Sequence, residues 1–497
     1  MTDYTGRTAY PFYTDPFRET GDERYKNRTL PTNNMGEPDP VTVSFLQWLI
    51  NCDMEQQEMY RLYREYYEGE HPTLLTDRMR EFLEIDNNVT FKLNVCPVVV
   101  DVPAERLQVV GFESAVEDSQ LGGEEGILWD WWTLNRMDGV QNDIHKAAIR
   151  DGDTYALVEW DSERGQPIYS HEMANDGTSG ITIRYRDDVR GEIAYAAKKW
   201  RIESTPQQSG AMRLNVYYPD AIYKFIATGR GWEAYQEEGQ EWPIQWRDRL
   251  GRPLGVPIVH FKESAGGYDF GKSRLEDIIP CQDALNKSVI DEMAAADTQA
   301  FRMLFKMGGG DPQGLAVAPG RVIYDSDPDT KWDSIEGGGL DGLSQLVADW
   351  VMRIAQISRT PLSYFQVTGQ VASGETQKAD DKGLVSLVET SSVGYGNAWE
   401  NLMKISIRLS NAFGGTNYNE DEIISTEWAE FDRVDRNEEE RKAAETKSLK
   451  ANTFISLVNQ SVPRRTAAIV AGYTQEEADE LATTDRILPS DRLAPEV

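Results

Sequence analysis

Gly266, Gly271, Lys272 and Ser273 fall in the order G-x-x-x-x-G-K-S. With that spacing a phosphate-binding loop presents backbone amides and one lysine to a nucleotide. An apolar stretch, Ile258 to Phe261, precedes the loop and a helical pattern follows it, the order a phosphate cradle needs. Taken alone, Gly266 to Ser273 implies a P-loop nucleotide hydrolase. Its surroundings argue otherwise. The chain does not continue as alternating helices and apolar parallel strands. The acids that close apolar runs, Asp101 and Asp161 before the loop and Asp325 in a small module after it, are poorly placed to hold magnesium.

Asp325, Asp327, Asp329 and Glu336 occupy positions one, three, five and twelve of an EF-hand-like loop. The sixth position, where the sharp turn requires glycine, holds Thr330, and no helix pair flanks the loop, so these read as acidic turn residues and not as a calcium site. Cys52, Cys96 and Cys281 lack metal-ligand spacing and are expected to be buried free thiols of a reducing compartment. Four scattered histidines and the lack of a Ser/His/Asp set leave no catalytic residue, metal or cofactor to name.

The net charge of −32, from 51 Lys and Arg against 83 Asp and Glu, excludes a protein that grips DNA through its phosphates. It is compatible with a channel through which DNA slides without sticking. No apolar run is long enough to span a membrane, and Met1 to Tyr10 has no signal-peptide core. An aromatic content of 10% argues for a large folded core.

Behind these residues stands an α+β pattern. The first forty residues are polar and read as an arm. Asp39-Pro40 opens a helix that runs to about Tyr67, and a short helix follows around Asp77 to Leu83. Val98, Val99 and Val100 form a β-branched run punctuated by Pro97 and Pro103. One amphipathic helix is predicted from Ile127 to Arg150, then a tight turn at Asp151-Gly152-Asp153. Short alternating segments follow at 155–160, 181–185, 193–200, 213–218, 222–226 and 258–261, an antiparallel β region. A long helix is predicted from Ser273 to Phe305, with Pro280 as a kink or second start and Ala294 to Ala296 allowing a close neighbour. A strand-and-turn module spans 314–339. Leu340 to Ser358 carries an apolar stripe of Leu343, Leu346, Val347, Trp350, Val351, Ile354 and Ala355. A polar loop from Pro361 to Gly374 precedes a long helix from Glu375 to about Phe413, and the chain from Asp421 is expected to be acidic and mostly helical.

Three blocks of this sequence resemble the portal (head-to-tail connector) proteins of long-tailed double-stranded-DNA bacteriophages. The first, Gly271-Lys272-Ser273-Arg274-Leu275-Glu276-Asp277-Ile278-Ile279-Pro280 with Gln282-Asp283-Ala284-Leu285-Asn286-Lys287, is similar to the family's start of its first stem helix. The second, Arg359-Thr360-Pro361-Leu362-Ser363-Tyr364-Phe365, and the third, Ser373-Gly374-Glu375-Thr376-Gln377-Lys378-Ala379, resemble signatures around its tunnel loop, with Thr376 in place of the usual alanine. Asn94 to Phe112 and Arg150-Asp151-Gly152-Asp153 are similar too. The resemblance spans roughly residues 40–410.

The resemblance implies a portal fold: an N-terminal arm (1–40), an α+β wing (41–272), a stem of two helices (273–305 and 340–360), a small clip between them (306–339), a tunnel loop (361–374), a long wing helix (375–415), and a helical crown with the C-terminal region (416–497). It implies a homo-oligomeric ring, usually of twelve copies, at one capsid vertex of the virion, assembled in the host cytoplasm. Its implied partners are double-stranded DNA in the channel, the terminase large subunit, a head-completion or adaptor protein, and the major capsid and scaffolding proteins, with no membrane. Gln366, Thr368, Gly369, Gln370, Ser373 and Gly374 are then the DNA-facing residues, uncharged groups that touch phosphates without holding them. Lys378 and Lys382, one turn apart, are further candidates for DNA contact, or else solvated lysines beside Asp380 and Asp381.

Overall fold

The computed structural model describes residues 54–71, 93–307, 331–335, 341–365, 374–431 and 449–478, apart from short stretches at 117–118, 124–125, 187–188, 190, 204–209, 230, 237–238, 240, 264–268, 301–302, 451, 459–461 and 476–477. The chain divides into two units, Met1–Phe431 and Asp432–Val497. The predicted arm, the helix at 77–83, residues 325–330 and 336 of the acidic turn, and Cys52 lie outside the described residues.

In the first unit α1 (Met54–Glu68) leads to α2 (Cys96–Ala104). The valines at 98–100 are therefore helical and not extended. Pro97 stands in the first turn, where its missing N–H costs no bond, and Val99, Val100, Val102 and Ala104 are buried. Tertiary burial outweighs the weak β preference of three valines. After β1 (Val109–Ser114), the helix predicted over 127–150 is two helices, α3 (Ile127–Leu134) and α4 (Met137–Asp151). Arg136 breaks it with a left-handed φ of 55°. Asn135 fixes the break: its Nδ2 donates to the carbonyls of Trp131 (2.8 Å) and Pro167 (3.0 Å), and its Oδ1 accepts from the Tyr169 amide (3.1 Å).

The β region is antiparallel as expected and more extensive than predicted. β2 (Asp153–Asp161) lies between β3 (Gln166–Met173) and β10 (Ile258–Lys262). A second sheet orders β4 (Gly180–Tyr185), β5 (Ile193–Arg201), β6 (Met212–Tyr217), β7 (Ala221–Thr228) and β8 (Gly231–Ala234), with β9 (Ile244–Gln245) beside β7.

Helix α5 (Ile279–Ala300) starts six residues later than predicted, and residues 303–307 form β11 instead of its last turn. Pro280 is the second residue of α5, where a helix tolerates it, and so marks the start and not a kink. β11 (Met303–Met307) pairs with β12 (Lys331–Ile335), Met303 opposite Ile335 and Met307 opposite Lys331. α6 (Asp341–Ser358) returns along α5. α7 (Gly374–Leu409) ends in a π-turn at Ser410–Gly414. The acidic stretch that follows is not all helical. β13 (Ile424–Trp428) alternates buried Ile424 with exposed Ser425 and Glu427, and pairs with β1, Phe112 opposite Thr426. Residues 416–431 belong to the first unit.

The core of this unit is aromatic and centred on α7. Trp399 meets Phe261 of β10 edge-on at 4.5 Å and Trp132 of α3 at 5.0 Å between ring centroids, and all three are fully buried. In the second unit the helix Arg464–Val470 packs Ala467 and Ala468 with Phe454 and Ala471. No helix among the described residues is long and apolar enough to cross a membrane.

Candidate functional site

Of the residues that suggest a phosphate cradle, Gly266 lies outside the described residues, and Gly271, Lys272 and Ser273 are already spent. The Gly271 amide donates to Asp153 Oδ1 at 2.7 Å and the Lys272 amide to the Glu263 carbonyl at 2.9 Å. Ser273 Oγ donates to the Arg150 carbonyl, and Lys272 Nζ is held by Asp277 at 2.9 Å, which raises the lysine above its ordinary pKa. Gly271 is required here by space, since a Cβ on it would lie 2.0 Å from the Gly152 carbonyl oxygen. Gly152 in turn has φ +91° and would place a Cβ 2.9 Å from the Ser273 amide. The segment is a close backbone-to-backbone joint, and the helix that would face a phosphate begins only at Ile279.

Two buried carboxylates secure that joint. Asp153 accepts from Tyr60 Oη (2.7 Å), His260 Nε2 (2.7 Å), Gln56 Nε2 (3.2 Å) and the Gly271 amide. On its other side, His260 Nδ1 is hydrogen-bonded with Tyr185 Oη at 2.7 Å. Glu263 accepts from Arg274 Nε (2.8 Å), Ser391 Oγ (3.1 Å) and Tyr395 Oη (2.5 Å), which binds the joint to α7. Burial and the adjacent Glu263 push the Tyr395 phenol far above its usual range, so it remains a donor. A buried charge with several matched donors is costly to disturb, and both acids meet that condition.

The next motif residues fasten the first turns of α5 to the α1–α2 segment. Gln282 Oε1 accepts from the Val95 amide (3.0 Å) while its Nε2 donates to the Leu93 carbonyl (2.5 Å). Asp283 Oδ1 accepts from Tyr66 Oη (2.8 Å), and Asn286 Oδ1 from the Leu93 amide (3.0 Å). The run from Gly271 to Asn286 thus seats one helix of the α5–α6 pair on a rigid base.

With this geometry, the comparisons with known proteins decide the family. Residues 46–458 match the family described as "Phage portal protein, SPP1 Gp6-like". The chain belongs to the phage portal protein family. Two members similar to it are the portal protein of Mycobacterium phage D29, 23% identical over 406 residues (78% of this chain, 77% of the relative), and that of Mycobacterium phage L5, 22% identical over 418 residues with the same coverage. Among solved structures, a chain titled "Neck of empty GTA particle computed with C6 symmetry" matches 76% of this chain and 88% of its own length at 13% identity, with a TM-score of 0.38.

In this portal chain, Gln366, Thr368, Gly369, Gln370 and Ser373 lie outside the described residues. Gly374 is the first residue of α7, and Lys378 lies in its first turns. Lys382 is exposed on α7, next to Asp381, which turns inward. The residues that carry the joint, Asp153, Glu263, His260, Tyr60 and Tyr395, were not singled out from sequence. A signal existed for two of them: Asp153 closes the Arg-Asp-Gly-Asp turn, and Glu263 follows directly on a strand. Cys96 is a buried free thiol as expected, and burial pushes it up to about 12. Cys281 is free but only half-buried.

Proposed function

We propose that this chain forms the homo-oligomeric portal ring at one capsid vertex, through which double-stranded DNA is packaged and ejected. The single observation that carries the ring is the state of α6. Val351, Ile354 and Ala355 of its apolar stripe are buried within the chain. Leu346 of the same stripe is exposed, as are Met352 and Ile357 on α6 and Met293 on α5. Two long helices with apolar groups on more than one side suit packing on one's own chain and on a neighbouring copy.

In this reading α5 and α6 wall the channel, and the β11–β12 ladder with its connecting residues is the clip, presented to the terminase large subunit and later to a head-completion protein. The crown and wing meet the major capsid and scaffolding proteins. Residues 361–374 are the tunnel loop, with Gln366, Thr368, Gly369, Gln370, Ser373 and Gly374 toward DNA and Lys378 and Lys382 beside it. An acidic wall repels the phosphate backbone, so the duplex moves without being bound.

A phage lacking this gene, complemented by the wild-type chain, tests the function. Capsids assembled without the chain should be empty of DNA, and complementation should restore filling. Normal DNA content in its absence would refute the role.

A further inference from the structure

Tyr364, which precedes residues 366–373, and Asp381, which follows them, converge on one buried guanidinium. Arg106 follows the C-terminal end of α2, and its side chain is only 2% exposed. Its Nη2 donates to Tyr364 Oη at 2.8 Å and to Asp381 Oδ2 at 2.7 Å, while Nη1 donates to the Phe431 carbonyl at 3.2 Å. Tyr364 ends the short 3-10 turn Leu362–Tyr364 after α6, and Asp381 lies on α7. One planar group therefore holds both flanks of the segment between residues 364 and 381. α2 itself is seated at its other end on α5, through Gln282 to Val95 and Asn286 to Leu93. A nine-residue helix thus links the base of the paired helices to the two ends of that segment.

We propose that Arg106 is a positioning residue that fixes the two ends of the tunnel-loop segment relative to each other and to the stem base. The clamp stands on Arg106, Tyr364 and Asp381 alone; its bearing on DNA passage rests on the tunnel-loop reading above. Arginine is specified because one nitrogen must serve two acceptors in a single plane. A lysine keeps the charge but cannot keep the fork.

Hydrogen exchange on the full-length chain tests the clamp in Arg106→Lys, Tyr364→Phe and Asp381→Asn. Amides of residues 362–381 should exchange roughly tenfold or more faster in each variant, with amides of Asp153–Asp161 unchanged. Adding Tyr364→Phe to Arg106→Lys should add little, since both break one contact. Tyr364→Phe removes a single hydroxyl and keeps the test informative if the arginine variant folds poorly. Wild-type exchange over 362–381 in all three variants overturns the clamp. Faster exchange with undiminished packaging by Arg106→Lys virions overturns its role in DNA passage. Undiminished packaging after deletion of 366–373 would instead strike the tunnel-loop reading and leave the exchange result standing.

Discussion

Asp153 is fully buried and accepts four hydrogen bonds from three separate parts of the chain, two of them from α1. Asp153→Asn keeps the shape but turns an acceptor into a donor against the Gly271 amide. It should destabilise the first unit by about 1–3 kcal/mol in urea unfolding. Gly271→Ala forces a methyl group into the Gly152 carbonyl and should cost about 2–3 kcal/mol or more. Buried His145 adds a pH dependence. Its Nδ1–H donates to the Leu107 carbonyl and its Nε2 accepts from Trp399, so the ring is neutral, and burial lowers its pKa to about 3. The unfolded chain, with an ordinary histidine, then binds the extra proton first. This contribution to stability is whole above about pH 6.5 and is lost toward pH 3, with a slope approaching about 1.4 kcal/mol per pH unit. Unfolding measured between pH 7 and 5 should show a smaller slope in His145→Gln than in the wild type, and equal slopes would refute the assignment. At this scale the sequence was only partly legible. The G-x-x-x-x-G-K-S match is real, yet what Gly271 faces is the Arg150–Asp153 turn, 118 residues earlier, a pairing that no local spacing encodes.

Among elements, those with strong periodicity were legible and those set by distant partners were not. The short apolar segments set between turn residues that predicted β4 to β7 are strands, although burial along them runs in blocks and does not alternate. The stripe of α6 was likewise readable, because its buried positions repeat at helical spacing. The break between α3 and α4 was hidden: Trp129, Trp132, Met137 and Ile144 continue a single apolar face across it, and only contacts from Asn135 to β3 impose the turn. β13 was hidden because five residues in an acidic stretch depend on pairing with β1, more than three hundred positions away. The segments around Tyr364 and Gly374 were legible as family signatures, but nothing in their spacing pointed to Arg106. The exposed apolar positions of α6 give a prediction at this level. Ile357→Glu should leave the unfolding free energy of the isolated chain within about 0.5 kcal/mol of wild type, since the site is at the surface. It should nevertheless prevent association, read by sedimentation velocity.

At the scale of the whole chain, a charge of −32 bears on the proposed role. If DNA passes through the ring as proposed, so acidic a chain fits passage and not binding. Duplex DNA mixed with the purified chain should bind more weakly than about 1 μM at physiological salt. The proposed role requires many copies to close around an open pore. Electron microscopy of the purified full-length chain under assembly conditions measures this directly. The predicted result is a ring of identical copies with a central hole wide enough for duplex DNA. A chain that stays monomeric, or a closed particle without such a hole, would contradict it.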